Sequence, residues 1–141
     1  LLTVTFILSI LASIAILKYQ DLRNQGISVQ IVQEMRAVQL AAFNYYAEKE
    51  EWPPESGPGA VPNGLGVLLP GQLAASFDRT QYLLDYENFG PGATDVVIGI
   101  SATTTDAKLL ARLVRYLGNG APFFVSGNKV TYLIAGPGGV F

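Results

Sequence analysis

The chain has 141 residues, half of them hydrophobic and only 14% charged, with a formal net charge of −2. It has no cysteine and no histidine, which rules out disulfides and thiolate chemistry and removes the usual neutral-pH general base and the commonest metal ligand. The length suits one domain, or one domain plus an appendage, and the charge balance gives no reason to expect strong electrostatic capture of nucleic acid.

The averages conceal a segregation. Residues 1–17 (LLTVTFILSILASIAIL) carry no charge, and the first charge is Lys18. All eight prolines follow Trp52, and of the fifteen glycines only Gly26 precedes it. Thirteen of the first seventeen residues are apolar; the others are Thr3, Thr5, Ser9 and Ser13, whose hydroxyls can bond back to helix carbonyls. As a helix this segment rises about 25 Å, slightly less than a hydrocarbon core of about 30 Å. A secretory signal peptide is one competing reading, but no small-residue cleavage site intervenes before the helical pattern continues. A buried core helix is another, but a domain this small would struggle to surround a helix that is apolar all round. Thr5, Ser9 and Ser13 line one face at i, i+4, i+8, with Ala12 and Ala15 beside them. Close helix–helix packing and plain tolerance of small hydroxyls in lipid both account for that face.

From Lys18 the pattern becomes amphipathic without a break. Ile27, Ile31, Met35, Val38, Ala42 and Tyr45 recur at spacings of 4, 4, 3, 4 and 3, one helical stripe. Ile31, Met35, Val38, Ala42 and Tyr45 are the residues expected to pack this helix on a head domain. Gly26 is the one weak point, costing about 1 kcal/mol against Ala. Pro53 disfavours helical geometry in the residue before it, so the helix is expected to stop near residues 51–52. One helix over 1–52 would be about 75 Å long. The residues after it cannot cover it all, so its apolar N-terminal part is expected to protrude, into lipid or against copies of itself.

Residues 53–79 read as a loop-rich connection with a helical turn near Gly64–Leu69. Val61, Leu65, Val67, Leu68, Leu69 and Leu73 make it apolar enough to pack down. Residues 80–141 read as β-rich. Strands are expected over Tyr82–Phe89 and Asp95–Ser101, with Phe89-Gly90-Pro91-Gly92 between them. A helix is expected over about 105–117, capped by Thr105, with Leu109, Leu110, Leu113, Val114 and Leu117 buried and Gly118-Asn119-Gly120 ending it. Phe123–Val125 and Val130–Ile134 make a hairpin with a type II′ turn at Gly127-Asn128. The fold class is therefore α+β: a long N-terminal helix whose C-terminal half packs on a small antiparallel sheet with one extra helix. Two units follow, 1–52 (apolar 1–17, amphipathic 18–52) and a head over 53–141.

The whole resembles a type IV pilin, or a pseudopilin of type II secretion. The resemblance rests on LLTVTFILSILASIAILKY running unbroken into an amphipathic helix, and on the helix end AFNYYAEKEEWPP with Tyr45, Tyr46 and Trp52-Pro53-Pro54. It implies a filament subunit whose core-packing residues are Leu1, Leu2, Val4, Thr5, Phe6, Ile7, Leu8, Ser9, Ile10, Leu11, Ser13, Ile14, Ile16 and Leu17. It implies copies of the same chain as partners, with the inner membrane and the pilus assembly machinery before assembly, and a cell-surface filament afterwards. It implies no cofactor, no nucleic acid and no small-molecule substrate. Members of the family begin with a methylated aromatic residue soon followed by a glutamate, and the resemblance places both upstream of Leu1, so the start of the protein is expected to lie a few residues before Leu1. Where the family often has proline, this chain has Leu17; if the helix extends locally in a filament, the resemblance places that extension between about Leu17 and Gly26. Major pseudopilins typically hold calcium through carboxylates near the C-terminus; from Ala107 to Phe141 there are four basic residues and no acidic one, which weighs against that subfamily.

No catalytic, cofactor or metal site stands out. Glu48, Glu50, Glu51 and Glu55 read as a solvated helix end, and Lys108, Arg112 and Arg115 as a solvated basic helix face; their opposite signs allow attraction between subunits. A single-span membrane protein with an extracytoplasmic binding domain is the alternative of a different class, and a membrane-bound enzyme is a third.

Overall fold

The computed structural model describes residues 1–89, 97–118 and 122–136. The absence of helix breakers before Trp52 has a direct consequence: one helix, α1, runs without interruption over Leu2–Lys49, about 70 Å at the standard rise. It ends slightly earlier than Pro53 alone would require. Glu50 adopts a left-handed conformation (φ 57°), and its N–H donates to the carbonyl of Tyr46 at 2.8 Å. The chain then folds back. Trp52 stacks on Tyr46 with ring centroids 4.6 Å apart and meets Phe43 edge-on at 5.6 Å. Pro53 is buried, and its carbonyl accepts from Asn88 Nδ2 at 3.3 Å. The aromatic contacts of Trp52, rather than steric exclusion by proline, thus accompany the turn.

The connection is short on regular structure but not loose. Two 3₁₀ turns, Gly66–Leu68 and Gly71–Ala74, set Leu65, Leu69 and Leu73 into the core. Val67, expected to pack down, instead points outward and is 89% exposed, because the 3₁₀ turn buries its flanks, Leu65 and Leu69. Gly64 is required here: it has φ +82°, and a Cβ on it would lie 2.9 Å from the Tyr45 ring.

Four antiparallel strands, β1 (Leu83–Asn88), β2 (Ile98–Thr103), β3 (Phe123–Ser126) and β4 (Lys129–Ala135), form one sheet in the order β1-β2-β4-β3. β2 begins and ends later than expected. Its register is anchored by Ala102 and Thr103, which pair with Leu84 and Leu83 on one side and Val130 and Lys129 on the other; Asp95 lies outside the described residues. The β3–β4 hairpin turns at Gly127 (φ 61°), while Asn128 keeps negative φ, as a type II′ turn with glycine first demands. The connecting segment covers the edge of β1. Gly59 N–H donates to the Leu84 carbonyl at 2.9 Å, and Leu84 N–H to that of Phe77 at 2.9 Å.

Between β2 and β3 lies α2 (Ala107–Leu117). Its cap is Asp106 rather than Thr105: the Asp106 carboxylate accepts from the N–H groups of Lys108 (3.0 Å) and Leu109 (3.2 Å), and Thr104 Oγ1 accepts from Asp106 N–H. A carboxylate at a helix start also meets the positive end of the helix dipole, which favours it over threonine. Gly118 ends the helix; Asn119 and Gly120, like Gly90-Pro91-Gly92 and residues 137–141, lie outside the described residues. Leu109, Leu113 and Leu117 of α2 join the buried stripe of α1 and the inner sheet face (Leu84, Tyr86, Ile98, Ile100, Val130) in one core. The molecule is α+β: a long N-terminal helix, a small four-stranded antiparallel sheet and one further short helix.

Candidate functional site

The two halves of α1 have opposite environments. Ile31, Met35, Val38, Ala42 and Tyr45 are buried in the head, together with Ser28, Val32 and Ala41. Leu1, Leu2, Val4, Phe6, Ile7, Leu8, Ile10, Leu11, Ile14, Ile16 and Leu17 are all exposed, between 47% and 105%. An 18-residue window of α1 has mean hydropathy 2.0 and is 0% buried. That excludes the buried-core-helix reading. α1 is long and apolar enough to cross a membrane. A contiguous apolar surface of this extent is also unlike a soluble monomer, which rarely exposes patches beyond a few hundred Å².

Thr5, Ser9 and Ser13 are exposed but their hydroxyls are spent. Thr5 Oγ1 donates to the Leu1 carbonyl at 3.1 Å, Ser9 Oγ to Thr5 at 3.0 Å, and Ser13 Oγ to Ser9 at 3.0 Å. A hydroxyl already bonded to its own helix can enter an apolar medium without the full penalty of an orphaned donor. This face is therefore small in profile and internally satisfied. Gly26 lies within continuous helix, and a Cβ there would meet nothing within 4 Å; no close packing requires glycine at that position.

Two polar constellations escaped the sequence pattern because their members are distant in the chain. The first fastens the turn before β1 to α1. Arg79 Nε donates to Glu34 Oε1 at 3.1 Å, the Tyr82 hydroxyl donates to Glu34 Oε2, and Gln30 Nε2 donates to Tyr82 Oη at 3.1 Å. Thr80 adopts φ 73° between Arg79 and Tyr82, an uncommon conformation for a β-branched residue, where Gln81 N–H reaches back to the Arg79 carbonyl at 2.9 Å. Burial, then the neighbouring Glu34 carboxylate, pushes the Tyr82 phenol well above its usual range.

The second joins Glu55 to Asp85 and Glu87 of β1, one carboxylate oxygen from each lying within 4.8 Å of the other two. Glu55 therefore does not belong with Glu48, Glu50 and Glu51 at the helix end. Lys129 of β4 places Nζ 2.9 Å from Glu87 and 3.8 Å from Asp85. Carboxylate oxygens are what hard divalent cations take, but here an ammonium already supplies countercharge. Burial, then the hydrogen bond and charge of Glu87, raises Asp85 to about 6. Burial also opposes ionisation of Glu87, yet the hydrogen bonds from Lys129 and Asp85 prevail and lower it. Within the cluster Glu87 therefore ionises before Asp85 as pH rises.

A carboxyl raised in the folded state lets the native chain bind more protons than the unfolded chain, so Asp85 costs stability as pH rises from about 4 to about 6. The lowered Glu87 has the opposite sign, its contribution being lost as pH falls. Asp85→Asn removes the ionisable carboxyl, while its amide can still donate to Glu87, which Asp85 otherwise helps to lower. It is expected to raise the melting temperature by a few °C at pH 7.5, with an upper bound of about 3 kcal/mol, and to change it little at pH 4. Melting curves at the two pH values check this; an equal shift at both would contradict it.

Comparison of the chain with protein-family models, with curated proteins and with solved structures returns no match.

Proposed function

We propose that this chain is a structural subunit of a bacterial type IV pilus-like filament. The observation that carries the reading is the division of α1: one uninterrupted helix, buried in a head over its C-terminal half and bare, apolar and uncharged over its first seventeen residues. A surface of that kind needs lipid or other copies of itself. The proposed mechanism is exchange of one for the other. The monomer waits with residues 1–17 in the inner membrane, where assembly machinery acts on it. On extraction, the same side chains pack against those of neighbouring subunits and form the filament core. Each fully buried Leu, Ile or Phe contributes about 1.5–3 kcal/mol relative to exposure in water. The resemblance of LLTVTFILSILASIAILKY and AFNYYAEKEEWPP to pilin sequences supports the same reading. A filament role needs no catalytic centre, in keeping with a chain that has neither histidine nor cysteine.

Negative-stain electron microscopy tests this directly. Full-length chain in detergent is expected to form uniform helical filaments when the detergent is removed. Uniform monomers retained in lipid vesicles, with no filaments at any concentration, would instead favour a single-span membrane protein with a binding head.

A further inference from the structure

Where α1 leaves its apolar stretch, it meets α2. Leu17, Gln20 and Asn24 of α1, with Lys108, Arg112 and Arg115 of α2, line an open groove of about 260 Å³. Arg112 is held in place by Asp21, which itself lines the groove and accepts from both Arg112 Nε (3.1 Å) and Nη2. Lys108 and Arg115 are exposed and have no carboxylate within ion-pair reach among the described residues. Asp106, the nearest acid in sequence, spends its carboxylate on the α2 cap. Lys18 and Arg23 add positive charge on the adjoining stretch of α1.

We infer that this groove binds the phosphate headgroup of an anionic phospholipid while the chain is in the membrane. The inference rests on the membrane reading of residues 1–17 proposed above. Two independent features carry it. The first is level: with residues 1–17 in hydrocarbon, Leu17 marks the boundary, and a groove that begins at Leu17 lies among the headgroups. The second is charge and shape. Lys108 and Arg115, which have no carboxylate partner among the described residues, flank the Arg112 guanidinium, whose Nε and Nη2 edge is taken by Asp21, so the two flanking cations are the groups that meet phosphate oxygens, beside the apolar Leu17 and Ala111. The acidic end of α1 in another copy (Glu48, Glu50, Glu51) is the rival occupant. It matches the groove in charge, but in copies inserted side by side in the membrane it lies about 45 Å along α1 from Leu17.

The test uses the full chain in lipid nanodiscs containing equal parts phosphatidylcholine and phosphatidylglycerol, at about 0.1 M salt, where charges still act over about 10 Å. Lipid retained on the protein is counted by native mass spectrometry. A basic side chain near an anionic surface is worth about fivefold in binding, so the two free cations should enrich phosphatidylglycerol on the order of tenfold. Lys108→Gln with Arg115→Gln should abolish the preference, while Lys108→Arg should keep it. Inorganic phosphate at matched ionic strength should not displace the lipid. Absence of enrichment in the unmodified chain, enrichment that survives the double substitution, or displacement by phosphate alone would each overturn the inference. So would a double variant that keeps its lipid but loses self-association, since the groove would then serve another subunit. Retention in discs of phosphatidylcholine alone is read first. If the chain leaves those discs, the membrane reading itself fails; if it stays without a headgroup preference, only this inference does.

Discussion

Leu11→Arg is expected to eliminate filaments while leaving the head folded. Leu11 lies in the uncharged stretch, 56% exposed in the single chain and without contact to the head core. In the monomer, the new guanidinium therefore displaces no packing. Its cost arises only where Leu11 is expected to be covered. In the membrane-inserted state, a charge near the middle of an apolar helix costs about 2.5–3.5 kcal/mol on insertion scales. In a filament core, an unpaired buried charge is destabilising by about 3–5 kcal/mol. The filament repeats that penalty at every subunit, so even the lower figure suffices to prevent growth. Ile10→Asp should act in the same way. Leu11→Met, which keeps volume and polarity, should assemble normally. The measurement is paired: filament counts by electron microscopy, and thermal melting of the head in the full-length variant in detergent. Normal filaments from Leu11→Arg would remove the filament-core role from residues 1–17.

What the sequence made legible follows from the range over which each signal acts. The continuity of α1, its apolar first third and the stripe of Ile31, Met35, Val38, Ala42 and Tyr45 are local and periodic, and 3.6-residue spacing encodes them directly. The strands and α2 were visible for the same reason, but their ends were not. Thr105 and Asp106 are both good caps in sequence. Only the position of Lys108 and Leu109 N–H groups selects the carboxylate. The left-handed turn at Glu50 goes together with Trp52 reaching back to Tyr46 and Phe43. Composition gives no sign that a glutamate will adopt that geometry. The polar clusters were the least legible. Glu55, Asp85, Glu87 and Lys129 meet because the connecting segment lies along β1 and β4 lies on the far side of β2 from it. In sequence Glu55 groups with Glu48, Glu50 and Glu51, and only the tertiary fold brings it to Asp85 and Glu87. The basic groove beside Leu17 was half legible: Lys108, Arg112 and Arg115 share a helical face, while their position against the end of the apolar stretch is tertiary.

Ile31→Ala and Ile10→Ala are the same chemical change in the same helix, and opposite outcomes are expected. Ile31 is 0% exposed, within the core shared by α1, α2 and the sheet; Ile10 is 47% exposed and outside it. Truncating Ile31 removes buried methyl groups and leaves a cavity that a closely packed core fills only in part, at about 2–5 kcal/mol. For a head of this size that lowers the melting temperature by on the order of 10 °C. Truncating Ile10 leaves no cavity in the monomer. Alanine is the better helix former, so the change in head stability should stay within about 0.5 kcal/mol. The order reverses in assembly. Ile10→Ala gives up apolar area at each subunit contact in the proposed filament core and should lower filament yield or raise the concentration needed to assemble. Ile31→Ala, assayed well below its melting point, presents an unaltered apolar segment and should assemble. The two readouts together separate the roles of the two halves of α1. Equal loss of head stability from both variants would show that residues 1–17 belong to the folding unit after all. An Ile31→Ala chain that melts normally but fails to assemble would place the buried stripe, rather than the bare segment, at the subunit contact.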